Sequence, residues 1–175
     1  MDQNVREELV NLMPRLRRFA RGLTGCAEEA DDLVQAACER ALTRHHQWQP
    51  GTRLDSWLYR IIQTIRLDQL RAAATRNRHL DTIQAEHENQ PPTDTHMETN
   101  LSLERVRNAL QLLPEDQRSV IMLVSVEGYS YREAAELLEI PIGTVTSRLT
   151  RGRLALDRLL HSNEPEPACV QGGGS

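Results

Sequence analysis

Gly128-Tyr129-Ser130-Tyr131-Arg132-Glu133-Ala134-Ala135-Glu136-Leu137-Leu138-Glu139-Ile140-Pro141-Ile142-Gly143-Thr144-Val145-Thr146-Ser147-Arg148-Leu149-Thr150-Arg151-Gly152-Arg153 decides how this chain folds. Gly128 stops whatever helix precedes it. Ser130 with Glu133 three residues on has the spacing of a capping box, which starts a helix at Tyr131. Pro141 blocks continuation of that helix. Thr144 begins a second one, whose backbone N–H groups at the positive end of the helix dipole suit a phosphate. Ala134 and Ala135 are small enough for two helices to cross closely, and Leu138, Ile140 and Val145 fill the space between them. The second helix carries its apolar residues at Val145, Leu149, Leu156 and Leu160. Its other positions, Thr144, Thr146, Ser147, Arg148, Thr150, Arg151 and Arg153, are polar or basic. A helix–turn–helix of this kind fits the major groove of duplex DNA, where arginine bonds guanine edges or neutralises phosphate. A solvated arginine-rich face, or a helix pair serving protein contact, is the alternative.

Outward from this segment the pattern stays helical. Leu103, Val106, Leu110 and Leu113 mark one helix closed by Pro114. Pro114-Glu115-Asp116 suits the start of another, with proline at the first helical position and acids at the positive dipole end. Val120, Ile121, Leu123 and Val124 give that helix its stripe. Near the N-terminus, Val5, Leu9, Leu12, Leu16, Phe19 and Leu23 recur at three- and four-residue steps, and Gly25 punctuates them. Ala30, Leu33, Val34, Ala37, Ala41 and Leu42 repeat the pattern. After Pro50-Gly51 it returns in Leu54, Trp57, Leu58, Ile61, Ile62, Ile65 and Leu70, with Trp57 expected in the core. No alternating strand pattern occurs. The expected fold class is all-α: two small helical domains, residues 1–78 with three or four helices and residues 101–161 with four. An acidic flexible linker, residues 79–100, joins them, and residues 162–175 form a disordered tail.

The 175 residues carry a formal charge of −4, and all 21 basic residues are arginine. Residues 1–78 hold 13 arginines against 10 acids, residues 79–104 hold none against 6, and residues 105–161 hold 8 against 7. The overall balance argues against nucleic-acid binding, so local charge has to carry that reading. No apolar run is long enough to span a membrane, and the N-terminus lacks the pattern of a signal peptide, so a cytoplasmic protein is expected. Cys26, Cys38 and Cys169 lack metal-ligand spacing, and His45 and His46 read as exposed helix-end residues. No nucleophile–base pair, phosphate loop or metal cluster is present in the sequence, which points away from an enzyme and implies no cofactor or metal.

Four strings in order carry a resemblance: Glu29-Ala30-Asp31-Asp32-Leu33-Val34-Gln35, Trp57-Leu58-Tyr59-Arg60-Ile61, Leu113-Pro114-Glu115-Asp116-Gln117-Arg118 and Ile140-Pro141-Ile142-Gly143-Thr144-Val145. With them, residues 5–161 resemble the extracytoplasmic-function (ECF) group of bacterial RNA polymerase sigma factors. The resemblance implies a promoter-specificity subunit. Asp31, Asp32 and Gln35 would dock on the clamp of the polymerase largest subunit. Residues 48–55 and the following helix would read and melt the promoter −10 element through Trp48, Gln49, Thr52, Arg53, Arg60, Gln63 and Arg71. Unpaired bases offer faces for stacking and free edges for hydrogen bonds, which suits such a loop. The second lobe would dock on the flap of the second-largest subunit and read the −35 element with residues 144–153. The acidic linker would thread the polymerase cleft, and an anti-sigma factor would hold the protein inactive.

The chain departs from the family pattern in three places. Gln63-Thr64 stands where Arg-Asn is common, Thr146 where Arg is frequent, and Glu139 where Gly is common between the two helices. A left-handed backbone at Glu139 would cost about 1 kcal/mol. Two rival readings stay open: a stand-alone helix–turn–helix regulator, and a sigma-like decoy that binds an anti-sigma protein without binding DNA. Decoys of the second kind usually carry a fused receiver domain, for which this sequence leaves no room.

Overall fold

The computed structural model describes residues 3–49, 51–80 and 99–161. Most of the stretch expected as a linker, and all of the expected tail with Cys169, lie outside the described residues. Helix α1 spans Gln3–Thr24, α2 Ala27–Thr43 and α3 Leu54–Leu80, with a 3-10 turn at His45–Gln47. Helix α4 spans Thr99–Gln111, α5 Glu115–Ile121, α6 Tyr131–Leu138 and α7 Ile142–His161. The described residues hold helices and no strand, as the three- and four-residue periodicity requires. Pro114 sits one position earlier than expected, at the N-cap of α5, and leaves Glu115 and Asp116 in the first turn.

The helix that the sequence reads as continuous up to Gly128 ends at Ile121 and widens into a π-turn, Met122–Val126. The Glu127 N–H donates to Met122 O five residues back, at 2.9 Å. The wider turn shifts the helical register beyond it and turns the Glu127 side chain inward, as π-turns inside helices often do at functional positions.

The two helical lobes share one hydrophobic core. Leu16, Phe19, Leu23, Leu58, Tyr59 and Ile62 of the first join Val120, Leu123, Tyr129 and Leu149 of the second in a continuous buried cluster. Phe19 and Tyr59 meet edge-on at 4.7 Å between centroids, and Tyr59 meets Tyr129 at 5.7 Å. Such aromatic pairs add about 1 kcal/mol each beyond the area they bury. Gly22 on α1 leaves space that the Met122 side chain fills, and the Gln111 amide donates to Gly22 O at 3.0 Å. Arg118 is buried, and its guanidinium donates to Leu110 O, Gln111 O and Leu113 O at the end of α4. It also donates to Leu23 O, at 2.5 Å, at the end of α1. One side chain thus satisfies the orphan carbonyls of two helix ends, one in each lobe.

The expected α4 stripe is only half buried. Leu110 and Leu113 lie in the core, whereas Leu103 and Val106 are exposed.

Candidate nucleic-acid interfaces

The helix–turn–helix forms as its residues dictate. Ser130 Oγ accepts from the Glu133 N–H at 3.2 Å, and the Glu133 carboxylate accepts from the Ser130 N–H at 2.8 Å, completing the capping box. Glu139 takes the left-handed conformation, φ 54° and ψ 44°, and its N–H donates to Ala135 O. Val145 and Leu149 are buried, and Gly152 lets α7 pass close to Ile121 of α5.

On α7 the polar candidates divide into two groups. Thr146, Ser147, Thr150 and Arg151 are exposed on the outer face. Their hydroxyls donate back to carbonyls one turn earlier: Thr146 to Ile142 O, Ser147 to Thr144 O and Thr150 to Thr146 O. Arg151 leans on Ser147 along the same face, at 3.3 Å to Ser147 O. Arg148 and Arg153 turn the other way. Arg148 Nε lies 3.0 Å from Asp116 of α5, and Arg153 Nη2 donates to Ser125 Oγ at 3.1 Å. Thr144 is half-buried at the start of the helix. The outer face is thus narrower than the sequence suggests, and Arg151 is its leading cation.

In the first lobe, α2 buries Ala30, Leu33, Val34, Ala37 and Ala41. Asp31, Asp32 and Gln35 therefore lie on its exposed side. Asp31 is paired with Arg17 at 3.1 Å, and the Gln35 amide donates to Glu39 at 3.1 Å. Asp32 has no partner among the described residues and is the least encumbered of the three.

The residues expected to read single-stranded DNA are the most altered by tertiary structure. Gln63 is a correction: it is 7% exposed, and its amide donates to Ser119 Oγ of the second lobe at 2.7 Å. Its place on the outward face of α3 is outward only for the first lobe alone. Trp48 is half-buried against the core, with its indole N–H buried and without an acceptor among the described residues, rather than standing clear as a stacking platform. Arg53 is held at 2.6 Å by Glu133, lies between 2.9 and 3.1 Å from both oxygens of Asp55 and stacks 4.6 Å over the Tyr129 ring. Arg60 is paired with Glu139. Gln49 and Thr52 are exposed, with Thr52 bonded within its own turn, and Arg71 pairs with Asp68 on α3.

Sequence reasoning overlooked Glu127. Its carboxylate has no exposed surface and accepts from Arg15 Nε at 3.2 Å, Arg18 Nε at 2.9 Å and the Tyr59 hydroxyl at 2.6 Å. Burial first, and then this hydrogen bond and the carboxylate's charge, push the Tyr59 hydroxyl far above its usual range. Burial likewise pushes Tyr129 up to about 12, so both tyrosines stay neutral hydrogen-bonding groups. Burial tends to raise Asp55, but hydrogen bonding and charge from Arg53, with the Ser56 N–H, hold its carboxyl below the usual range. Arg40 and Arg44 also gave no signal in the sequence. With Gln47, Trp57, Arg60 and Thr64 they line a basic cleft of about 340 Å³ between α2, the 3-10 turn and α3. Trp57, expected in the core, is half-buried and forms part of its wall. The three arginines and the indole edge suit a phosphate-bearing strand.

Comparison with known proteins agrees with this arrangement. A family model described as Sigma-70, region 4 matches residues 103–156, and one described as the Sigma2 domain of PhyR matches residues 9–63. The ECF RNA polymerase sigma factor EcfG of Rhodopseudomonas palustris is 34% identical over 166 residues, 95% of this chain and 90% of that protein. The co-crystal structure of the sigma factor RpoE with the anti-sigma factor NepR from Bartonella quintana matches with a TM-score of 0.77 at 29% identity. That match covers 93% of this chain and all of the RpoE chain. The NMR structure of the PhyRSL–NepR complex from Sphingomonas sp. Fr1 matches at a TM-score of 0.60 and 25% identity, over 97% of this chain and 94% of that one. With the helix–turn–helix, the exposed acidic face of α2 and a likeness that runs through both lobes, the chain belongs to the extracytoplasmic-function group of RNA polymerase sigma factors.

Proposed function

We propose that this chain is a promoter-specificity subunit of bacterial RNA polymerase. The likeness to EcfG along 95% of the chain carries the reading, because it includes both lobes and not the helix–turn–helix alone. Residues 1–78 dock on core polymerase through Asp31, Asp32 and Gln35. They read and melt the −10 element through Gln49, Thr52, Arg53, Arg60 and Arg71, with the Arg40–Arg44 cleft alongside. Gln63 and Trp48 join them only if the lobes separate. Residues 101–161 read the −35 element, with Arg151, Thr146, Ser147 and Thr150 on the groove side of α7 and Thr144 at its start. Arg148 holds α7 on α5, Arg153 holds it on the π-turn, and both reach phosphate at its flanks. Residues 79–100 supply an acidic tether through the polymerase cleft. No catalytic step is assigned to the chain. No described helix is long and apolar enough to cross a membrane, in keeping with action on polymerase and DNA in the cytoplasm.

An anti-sigma factor is the proposed regulator, on the strength of the likeness to RpoE, whose co-crystal structure contains NepR. A second reading has its own support. The PhyR sigma2 match and the PhyRSL–NepR structure fit a decoy that binds an anti-sigma protein and leaves promoters alone. Run-off transcription with core polymerase separates the two. Promoter-specific transcripts that require this chain support the sigma reading. Their absence on every cognate template, with an anti-sigma protein still bound, favours the decoy.

A further inference from the structure

We propose that the basic cleft between α2, the 3-10 turn and α3 binds a free purine nucleoside polyphosphate. The phosphates lie on Arg40, Arg44 and Arg60, and the base lies against Trp57. Binding itself does not rest on the promoter-reading assignment. Its consequence does, because a nucleotide on Arg60 competes there with the −10 strand.

The ligand class follows from how the side chains are placed. Arg40 lies in the last turn of α2 and Arg44 caps its end, one turn further on. Across from them Trp57, Arg60 and Thr64 recur at three- and four-residue steps along one face of α3. With Gln47 they enclose about 340 Å³, the small end of the range for ligand pockets and room for one nucleotide. No acid lines the space. Arg60 pairs with an exposed carboxylate, that of Glu139, whereas Arg40 and Arg44 have no ion-pair partner among the described residues. Those two also suit the negative end of the α2 dipole, which accounts for two cations and leaves the third unexplained. The last carbonyls of α2 are already engaged: Arg40 O accepts from the Arg44 N–H and the Thr43 hydroxyl, and Leu42 O meets the His45 ring nitrogen at 3.0 Å. A DNA strand brings one charge per nucleotide, so three guanidiniums around one space exceed its need. A di- or triphosphate brings several charges to one point, and the planar arginine fork binds its oxygens in pairs. The half-buried indole of Trp57 gives a purine ring a stacking partner. The Gln47 amide both donates and accepts, and Thr64, whose hydroxyl donates to Arg60 O, keeps its lone pairs for an N–H of the base or ribose edge.

The test is calorimetric titration of the full chain with ATP, GTP, sodium tripolyphosphate and a mixed-sequence single-stranded DNA, with divalent ions chelated. The chain has two tryptophans, so Trp48→Phe leaves Trp57 as its single fluorescent reporter of stacking. ATP or GTP should bind once per chain, quench that fluorescence and exceed tripolyphosphate in affinity by about tenfold. Arg40→Ala and Arg44→Ala should each weaken nucleotide binding by about tenfold. Arg132→Ala, which removes an exposed arginine of α6 in the other lobe, should leave it unchanged. Saturating ATP should displace the DNA, and DNA that stays bound would overturn the competition at Arg60. Equal affinity for tripolyphosphate and nucleotide would mean an anion site alone and overturn the proposal. Equal weakening by Arg132→Ala would mean diffuse charge and overturn it as well. DNA that binds through Arg40 and Arg44 while neither nucleotide binds would leave the cleft a strand path only, and the proposal would fall. The titrations contain no polymerase, so their failure leaves run-off transcription standing. Loss of run-off alone would count against the sigma reading instead.

Discussion

The two surfaces expected to meet DNA differ in how the fold presents them. The outer face of α7 is open, and its threonines, serine and Arg151 bond only to their own helix. On the face of α3 and the loop before it, Gln63 is buried under the opposite lobe, and Arg53 and Arg60, though exposed, are paired with that lobe's carboxylates. On the proposed reading, duplex recognition by α7 would need no rearrangement within its lobe, whereas reading of an unpaired strand that uses Gln63 would need the lobes to part. The difference comes from where the acids sit. The second lobe carries Glu127, Glu133 and Glu139 where it meets Arg18, Arg53 and Arg60 of the first.

The contrast can be broken most forcefully at Glu127. Glu127→Ala leaves Arg15, Arg18 and the Tyr59 hydroxyl without their shared acceptor in a buried site. Thermal or denaturant unfolding should show a loss of about 2–4 kcal/mol, less than a fully buried pair would give because Arg18 is half exposed. A loss below that of an ordinary surface substitution would show that Glu127 does not hold the lobes together. Next in size is Arg151→Ala. Removal of the leading cation of α7 should weaken binding to a −35 duplex by about 1–3 kcal/mol with core-polymerase affinity and stability unchanged. Asp32→Ala should do the reverse, lowering affinity for core polymerase by on the order of 1 kcal/mol and sparing duplex binding. If both variants lost the same activity, the division of labour between the lobes would be wrong.

The smallest effect is expected from acid. Asp55 and Glu133 both titrate below the usual carboxylate range. For Asp55, Arg53 outweighs the effect of burial; for Glu133, the Ser130 N–H and hydroxyl lead. A carboxylate whose folded pKa is depressed adds stability that is fully present above its unfolded value, about 4, and is lost as pH falls through the folded value. Stability of the fold should therefore hold from neutral pH down to about 4 and fall below it. Glu115 acts in the opposite sense, since burial raises its pKa and the folded state favours its protonated form just above the ordinary range. Thermal unfolding across an acid titration checks the balance, and a loss of stability well above the carboxylate range would point to another group.

Much of the secondary structure was legible because it is written in near neighbours. The Ser130–Glu133 box, Pro141 and the alternation of Val145 and Leu149 with threonines and arginines specify the helix pair within a few residues. The departure at Glu139 was visible too, as a residue with a Cβ where the turn calls for a left-handed backbone. The candidate sites were legible by residue type and only partly by position. Arg148 and Arg153 are as basic as Arg151, and only tertiary packing engages them, Arg148 with Asp116 of α5 and Arg153 with Ser125 of the π-turn. Glu127 gave no signal in the sequence, because nothing in its neighbours announces a π-turn.

The sequence by itself determined the helices, their caps, the helix–turn–helix and a family likeness spread over both lobes. Each of these depends on interactions three to four residues apart or on strings that can be read in line. Only the tertiary structure decided which of the marked residues are available. Gln63 meets Ser119 across 56 positions of sequence, Tyr59 meets Glu127 across 68 and Arg53 meets Glu133 across 80. A polar residue on the outward face of one lobe has the same periodicity whether water or a second lobe lies beyond it. Desolvation and charge pairing at that distance are settled by packing alone.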